Sequence, residues 1–319
     1  MDRHPVRPIL RKPGKMTAGP VLVLAIATST IVVGPLILGF AALASDRSTE
    51  VKPAPPGPGW RLIAASTLLY VLAFNLTFFI QELFLVLPKA LTPGLRPTLY
   101  HNNHSWEGTN PLAALFQGTG ASATLLVGLF CLWLLHRPRW RSNGARLFLL
   151  WMAYCGCFMA LPQVVIGALS PASDLGMAMG YLQLGTSGRL GAALLVLGLM
   201  PLLALQLCRP ALETANSAEA VAHPRARTRF VLEAVALPAL LGSVLVIPFR
   251  MPREMLEVAL VPLLVILPGI PWIQAGAWRV RKVTARGAAT AWPLAYPLVA
   301  VVALLLFFQL VLRPGIRFY

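Results

Sequence analysis

Eight apolar runs of about 20 residues, separated by short connectors rich in Lys and Arg, constrain this chain more than any other feature. A run of that length matches the hydrocarbon thickness of a bilayer. Inside the bilayer a backbone has no water to bond, so it must satisfy its own N–H and C=O groups, and a helix does so within one segment. The chain therefore reads as an all-α, polytopic integral membrane bundle of about eight transmembrane helices. Its first partner is the lipid bilayer of the cell membrane, the inner membrane in a bacterium. The runs lie at about Val21–Ala44, Leu62–Leu87, Leu112–Leu135, Leu147–Leu169, Leu190–Cys208, Phe230–Pro248, Leu256–Trp278 and Ala289–Leu312. An apolar stretch at Leu175–Leu184 reads as interfacial. Gly34-Pro35 in the middle of the first run predicts a kink or a re-entrant segment.

Composition supports one membrane domain. Charged residues make up 12% of the 319, hydrophobic ones 57%, and mean hydropathy is +0.71. Soluble domains carry roughly 25% charge. The longest polar stretches, 45–61, 88–111 and 209–229, leave no room for a large soluble domain. The expected division is a basic N-terminal leader (1–20), a single transmembrane domain (21–312) and a short C-terminal tail (313–319). A net charge of +16 invites a nucleic-acid reading. The cations, however, sit between apolar runs, where they set topology and meet anionic headgroups, and no recognition element accompanies them. Nucleic acid is excluded as a partner. A membrane-protein partner or a second copy of the chain is compatible with the sequence.

Cys131, Cys155 and Cys157 lie inside apolar runs and Cys208 ends one. Cysteines so placed read as small packing residues. No internal repeat is visible, which removes the usual signature of an inverted-repeat transporter.

The distribution of cations predicts the orientation. Connectors 136–146, 209–229 and 279–288 carry four Lys or Arg each and are expected in the cytoplasm, with loop 88–111 outside. Eight full crossings then place the leader outside despite its five cations, Arg3, Arg7, Arg11, Lys12 and Lys15. A start at Met16 removes this conflict, leaving 15 cations inside against 7 outside; a first segment that does not cross fully also removes it.

Candidate chemistry concentrates in the second run and the loop after it. Asn75, Glu82 and Lys89 are spaced by seven, nearly two helical turns, so they share a face, with Gln81 one step round. A carboxylate within a span is costly and ordinarily faces a protein interior or a cavity. Glu82 stands roughly 8 Å from the outer helix end by helical rise and is the candidate catalytic or proton-bearing group, with Asn75, Gln81 and Lys89 as its polar surroundings. The bland alternative is a carboxylate that reaches the interface or pairs with a neighbouring helix. The loop adds Tyr100-His-Asn-Asn-His-Ser-Trp-Glu107. If that segment is helical, His101, His104 and Glu107 fall on one face and are ligand types for a divalent metal such as zinc. The bland alternative is an interfacial loop anchored by Tyr100 and Trp106. Gly118 and Ser122 form a small-xxx-small pair suited to close helix packing.

Gln81-Glu82 in an apolar helix, a proline-containing loop and the Gly-rich Gln117-Gly-Thr-Gly-Ala together resemble the core of site-2-type intramembrane metalloproteases. That family carries H-E-x-x-H on its first core helix and a later aspartate ligand. Here Glu82 matches, Gln81 and Leu85 stand at the two histidine positions, and the later aspartate, Asp174, falls in a connector. The resemblance implies an inactive relative, or a metal held by His101 and His104 instead. The leading functional expectation is transport or ion and proton handling at a polar site near the outer face. The alternatives are a metal-dependent membrane enzyme of that resemblance and an accessory subunit of a membrane complex. Whether the chain is an enzyme stays open at this level.

Overall fold

A computed structural model of the chain describes residues 18–45, 59–137, 142–253, 255–283 and 292–319. The leader, most of the Pro/Gly-rich connector after the first helix and parts of two basic connectors lie outside the described residues. Among the described residues, eight helices are long and apolar enough to cross a membrane: α1 (Ala18–Ala44), α2 (Trp60–Ala90), α3 (Leu112–Leu135), α4 (Asn143–Leu169), α6 (Thr186–Leu212), α7 (Pro224–Arg250), α8 (Met255–Arg279) and α9 (Ala295–Leu312). A short helix, α5 (Asp174–Tyr181), occupies the stretch read as interfacial. Three strands complete the fold: β1 (Arg96–Leu99), β2 (His104–Glu107) and β3 (Ile316–Arg317). The protein is a bundle of apolar helices with a small sheet over one end.

α4 is the hub, packed against α2, α3, α6 and α8. It is buried almost all round, and Trp151, Tyr154 and Phe158 form an aromatic ladder along it, with Tyr70 of α2 edge-on to Trp151. α3 and α4 approach each other backbone to backbone. A Cβ on Gly156 would stand 2.6 Å from the Cα of Gly128 and 2.6 Å from the carbonyl of Thr124, so the two backbones touch. The small pair singled out in the sequence is not at this crossing. Gly118 packs on Ala178 of α5, and Ser122 is exposed.

Prolines decide how several helices meet. Proline has no N–H, so it leaves a carbonyl one turn earlier without its ladder donor. Pro88 does this to Phe84, whose carbonyl accepts from the Thr119 hydroxyl of α3. Pro238 does it to Ala234, whose carbonyl accepts from the Ser66 hydroxyl at 2.6 Å; Ser66 in turn accepts from the Trp151 indole at 3.0 Å. In α1 the turn ahead of Gly34-Pro35 widens to a π-helix over Ser29–Val33. The carbonyl that Pro35 cannot serve, Thr30, accepts from the Trp272 indole of α8 at 2.8 Å. The segment is not re-entrant but one continuous helix, and the irregularity expected at Gly34-Pro35 is a π-bulge. Gly34 is glycine because Trp272 lies against it, 2.3 Å from where a Cβ would be.

The C-terminal tail is not a loose end. Ile316 and Arg317 pair antiparallel with Leu99 and Thr98, and Phe318 donates its N–H to the Pro97 carbonyl. The sheet order is β2-β1-β3.

Candidate functional site

The loop after α2 folds as a β-hairpin, not as a helix. β1 and β2 pair in the register Arg96↔Glu107, Pro97↔Trp106, Thr98↔Ser105 and Leu99↔His104. Side chains alternate along a strand. His104 and Trp106 therefore turn inward, while Ser105 and Glu107 are exposed. Residues 101 and 104, which share a face on a helix, do not share one here. This conformation, not the ligand chemistry, separates the three residues read as metal ligands.

α2 continues to Ala90, so Lys89 is helical and stands above Glu82 on the same face, as its spacing requires. The hairpin folds back onto that face. His104 Nδ1 lies 2.9 Å from Glu82 Oε2, and both side chains are 8% exposed. His104 Nε2 lies 3.1 Å from Gln117 Oε1 and 3.4 Å from Lys89 Nζ. Lys89 also donates to Gln117 Oε1 at 3.3 Å and to the carbonyl of Leu85 at 2.8 Å. Trp106 closes the site: its ring stacks on His104 and carries the Lys89 ammonium 4.6 Å from its centroid. Gln117 reaches the cluster because α3 crosses α2 tightly at Gly120, where a Cβ would stand 2.8 Å from the Gln81 carbonyl.

The geometry distributes protons in a defined way. A carboxylate accepts, so Glu82 places a proton on His104 Nδ1. Nε2 then has two partners of opposite demand. Gln117 Oε1 can only accept a hydrogen bond from it, and the Lys89 ammonium can only donate one to it.

Asp174, at the start of α5, belongs to the electrostatic surroundings of this cluster. Burial raises its pKa, the like charge of Glu82 raises it further, and His104 and Lys89 oppose both effects. Sequence reasoning set this residue aside as a connector aspartate. Gln117 escaped notice as a site residue because it opens an apolar run.

The other candidates lie elsewhere. Asn75 is buried on the same face of α2 but donates within its own helix, to the Val71 carbonyl. Gln81 turns away from Glu82 and accepts from Gln163 of α4 at 2.9 Å. His101 sits at the hairpin turn and bonds the carbonyl of Met251 at 3.0 Å. Burial lowers its pKa, the bond to Met251 opposes this, and Arg313, Arg250 and Arg253 lower it further. Its neighbour Asn102 donates to the carbonyls of Arg250 and Pro252, fastening the hairpin to the end of α7. Glu107 is exposed on the far side of β2. His101, His104 and Glu107 are thus not brought together. Among the described residues, no three His, Cys, Asp or Glu stand close enough to hold a metal ion.

The two histidines therefore make different predictions. In a double-mutant cycle on thermal stability in detergent, Glu82→Gln and His104→Ala should couple by about 1–3 kcal/mol, because they lose one shared contact. Glu82→Gln and His101→Ala should add within about 0.5 kcal/mol. Coupling of Glu82 to His101 as strong as to His104 would contradict the geometry.

Comparison of the chain with models of protein families, with curated proteins and with solved structures finds no match.

Proposed function

We propose that the chain is a multi-pass cell-membrane protein that handles protons at Glu82, His104 and Lys89. The observation that supports this reading is the shared environment of His104 Nε2, held between a hydrogen-bond acceptor, Gln117 Oε1, and a titratable donor, the Lys89 ammonium, beside a buried carboxylate. A purely structural ion pair needs no such environment. A carboxylate, an imidazole and an ammonium in one water-poor pocket are also the groups that take up and release protons within membranes.

The test is proton flux. Protein reconstituted in liposomes with an internal pH dye and a valinomycin-clamped potassium gradient should admit protons faster than empty liposomes. Glu82→Gln and His104→Ala should each cut the excess rate by about tenfold or more, the usual scale for losing a proton-transfer group. A wild-type rate equal to that of empty liposomes, or an excess rate untouched by Glu82→Gln, would remove the proposal.

A second reading is favoured by Asp174. In the resemblance to intramembrane metalloproteases the later aspartate belongs with the glutamate of the first core helix. Asp174 does lie within electrostatic reach of Glu82 and His104. This reading makes the chain a relative of that family whose histidine ligands are replaced by Gln81 and Leu85. With no three ligand side chains converging among the described residues, this reading is of a relative without its metal, and purified protein with neither zinc nor proton flux would favour it over proton handling.

The proposed orientation places the hairpin outside and connectors 136–146, 209–229 and 279–288 in the cytoplasm. On a background without the four native cysteines, all buried, Thr109→Cys should react with an impermeant thiol reagent in intact cells and Glu219→Cys should not. The reverse pattern would invert the topology.

A further inference from the structure

A cavity of about 230 Å³ lies beside the proton site, enclosed by α2, α4, α8 and the segment that leads into α5. Its walls are apolar and partly aromatic, with Phe78 and Phe158 facing Val261 and Val265. One end is polar. There Gln81, Gln163 and Asp174 come together. The amide of Gln163 spends its Nε2 on Gln81 Oε1 at 2.9 Å and on the Met159 carbonyl at 2.8 Å. That leaves Gln163 Oε1 as an acceptor and Gln81 Nε2 as a donor without a hydrogen-bond partner among the described residues. Ile166 of α4 and Leu264 of α8, also in the lining, are each about one-third exposed on the apolar outer face of the bundle, 37% and 36%. The cavity therefore borders the apolar outer face beside these two residues.

Each feature restricts the ligand. An unpaired amide donor and acceptor inside an apolar enclosure call for a group that both accepts and donates, or for one strong acceptor. The two amides carry no net charge. The Asp174 carboxyl, in the same lining, can bond a hydroxyl head in either protonation state. The volume exceeds the roughly 150 Å³ of an apolar cavity that accommodates benzene. It admits a head with a few carbons or a ring, not a whole lipid, so the remainder of the ligand must leave through the mouth.

We propose that this cavity binds a single-tailed, uncharged amphiphile from the bilayer, its hydroxyl or carbonyl head held by Gln81, Gln163 and Asp174 and its tail passing out between Ile166 and Leu264. The site stands on residues other than Glu82, His104 and Lys89, so it goes beyond the proton reading and fails independently of it.

The experiment uses the full chain in phosphatidylcholine nanodiscs and a long-chain alcohol carrying a diazirine and an alkyne. After irradiation, crosslinks should concentrate in α4 between residues 158 and 166 and in α8 between residues 261 and 265. Unlabelled hexadecanol should compete at about one-tenth the concentration needed for hexadecyltrimethylammonium or hexadecyl phosphate, the factor expected for a head whose hydrogen bonds are matched. Gln163→Leu should reduce labelling about tenfold. Leu264→Trp, which fills the mouth from the lipid side and leaves the polar end intact, should do the same and serves where Gln163→Leu does not fold. Glu82→Gln should label like wild type even where proton flux is lost. Crosslinks spread evenly over all lipid-facing helices, stronger competition by either charged amphiphile, or full labelling of folded Leu264→Trp would each overturn the proposal.

Discussion

Gly156→Ala is expected to destabilise the protein by about 2–3 kcal/mol or more, whereas Gly198→Ala should be neutral or slightly stabilising. Both replace a helical glycine, and alanine is the better helix former by about 1 kcal/mol. Intrinsic preference therefore predicts the same sign for both. Packing separates them. At Gly198 a Cβ meets no atom within 4 Å. At Gly156 it meets the Cα and N of Gly128 and the carbonyl of Thr124, each at 2.6 Å. None of these is the tip of a side chain that could turn aside. The α3–α4 pair must separate, and α4 also contacts α2, α6 and α8, so the displacement spreads through the hub. Thermal unfolding in detergent, followed by intrinsic tryptophan fluorescence, measures both variants. Equal midpoints would show that the two backbones are not in contact.

The second large effect lies at the opposite end of the bundle from the hairpin. Arg146 is fully buried at the start of α4 and pairs with Glu213 at 2.8 Å, just beyond the end of α6; its guanidinium also reaches the carbonyl of Leu135 at the end of α3. Three helix ends are tied through one side chain. Glu213→Gln removes the carboxylate from a buried guanidinium and should cost about 3–5 kcal/mol. Arg209 shares the same carboxylate at 3.0 Å, but its side chain is 65% exposed. Arg209→Ala should therefore cost less than about 1 kcal/mol. Urea unfolding of the two variants, compared at equal detergent concentration, supplies the numbers. A loss in Arg209→Ala as large as in Glu213→Gln would place the stabilisation in the exposed pair.

The helices were legible from hydropathy because length and apolarity suffice to define a span. Their ends were less so. α4 begins at Asn143, four residues before its apolar run, because Ser142 caps it through the Ala145 N–H. That end is set by local hydrogen bonding, which hydropathy does not register. At the site, the spacing of Glu82 and Lys89 was readable since one helix carries both. The partnership of His104 with Glu82 follows from burial cost and proximity along the chain. The hairpin did not follow: β2 is four residues long, and the alternation of His104 and Trp106 with Ser105 and Glu107 is too short to oppose a spacing that also suits a helix. Gln117, Asp174 and Gln163 are single polar residues at the edges or in the middle of apolar runs. Only tertiary packing of α3, α4 and α5 onto α2 brings them near Glu82 or Gln81.

The proline-released carbonyls also carry information about time. Helices enter a membrane in chain order, and each such carbonyl awaits a donor on another helix. Phe84 finds Thr119 only 35 residues later, within the next helix. The donor for Ala234, Ser66, is already present when α7 arrives, 168 residues after it. Thr30 waits longest: Trp272 follows by 242 residues, so the acceptor in α1 stays without this partner until α8 is in place. The first half of α1 can already pack on α6, where Gly19 lies against Leu190, but its second half gains its partner only with α8. A chain truncated before α8 should keep the first half of α1 on α6 while the half after the π-bulge remains open to exchange with lipid or with another protein.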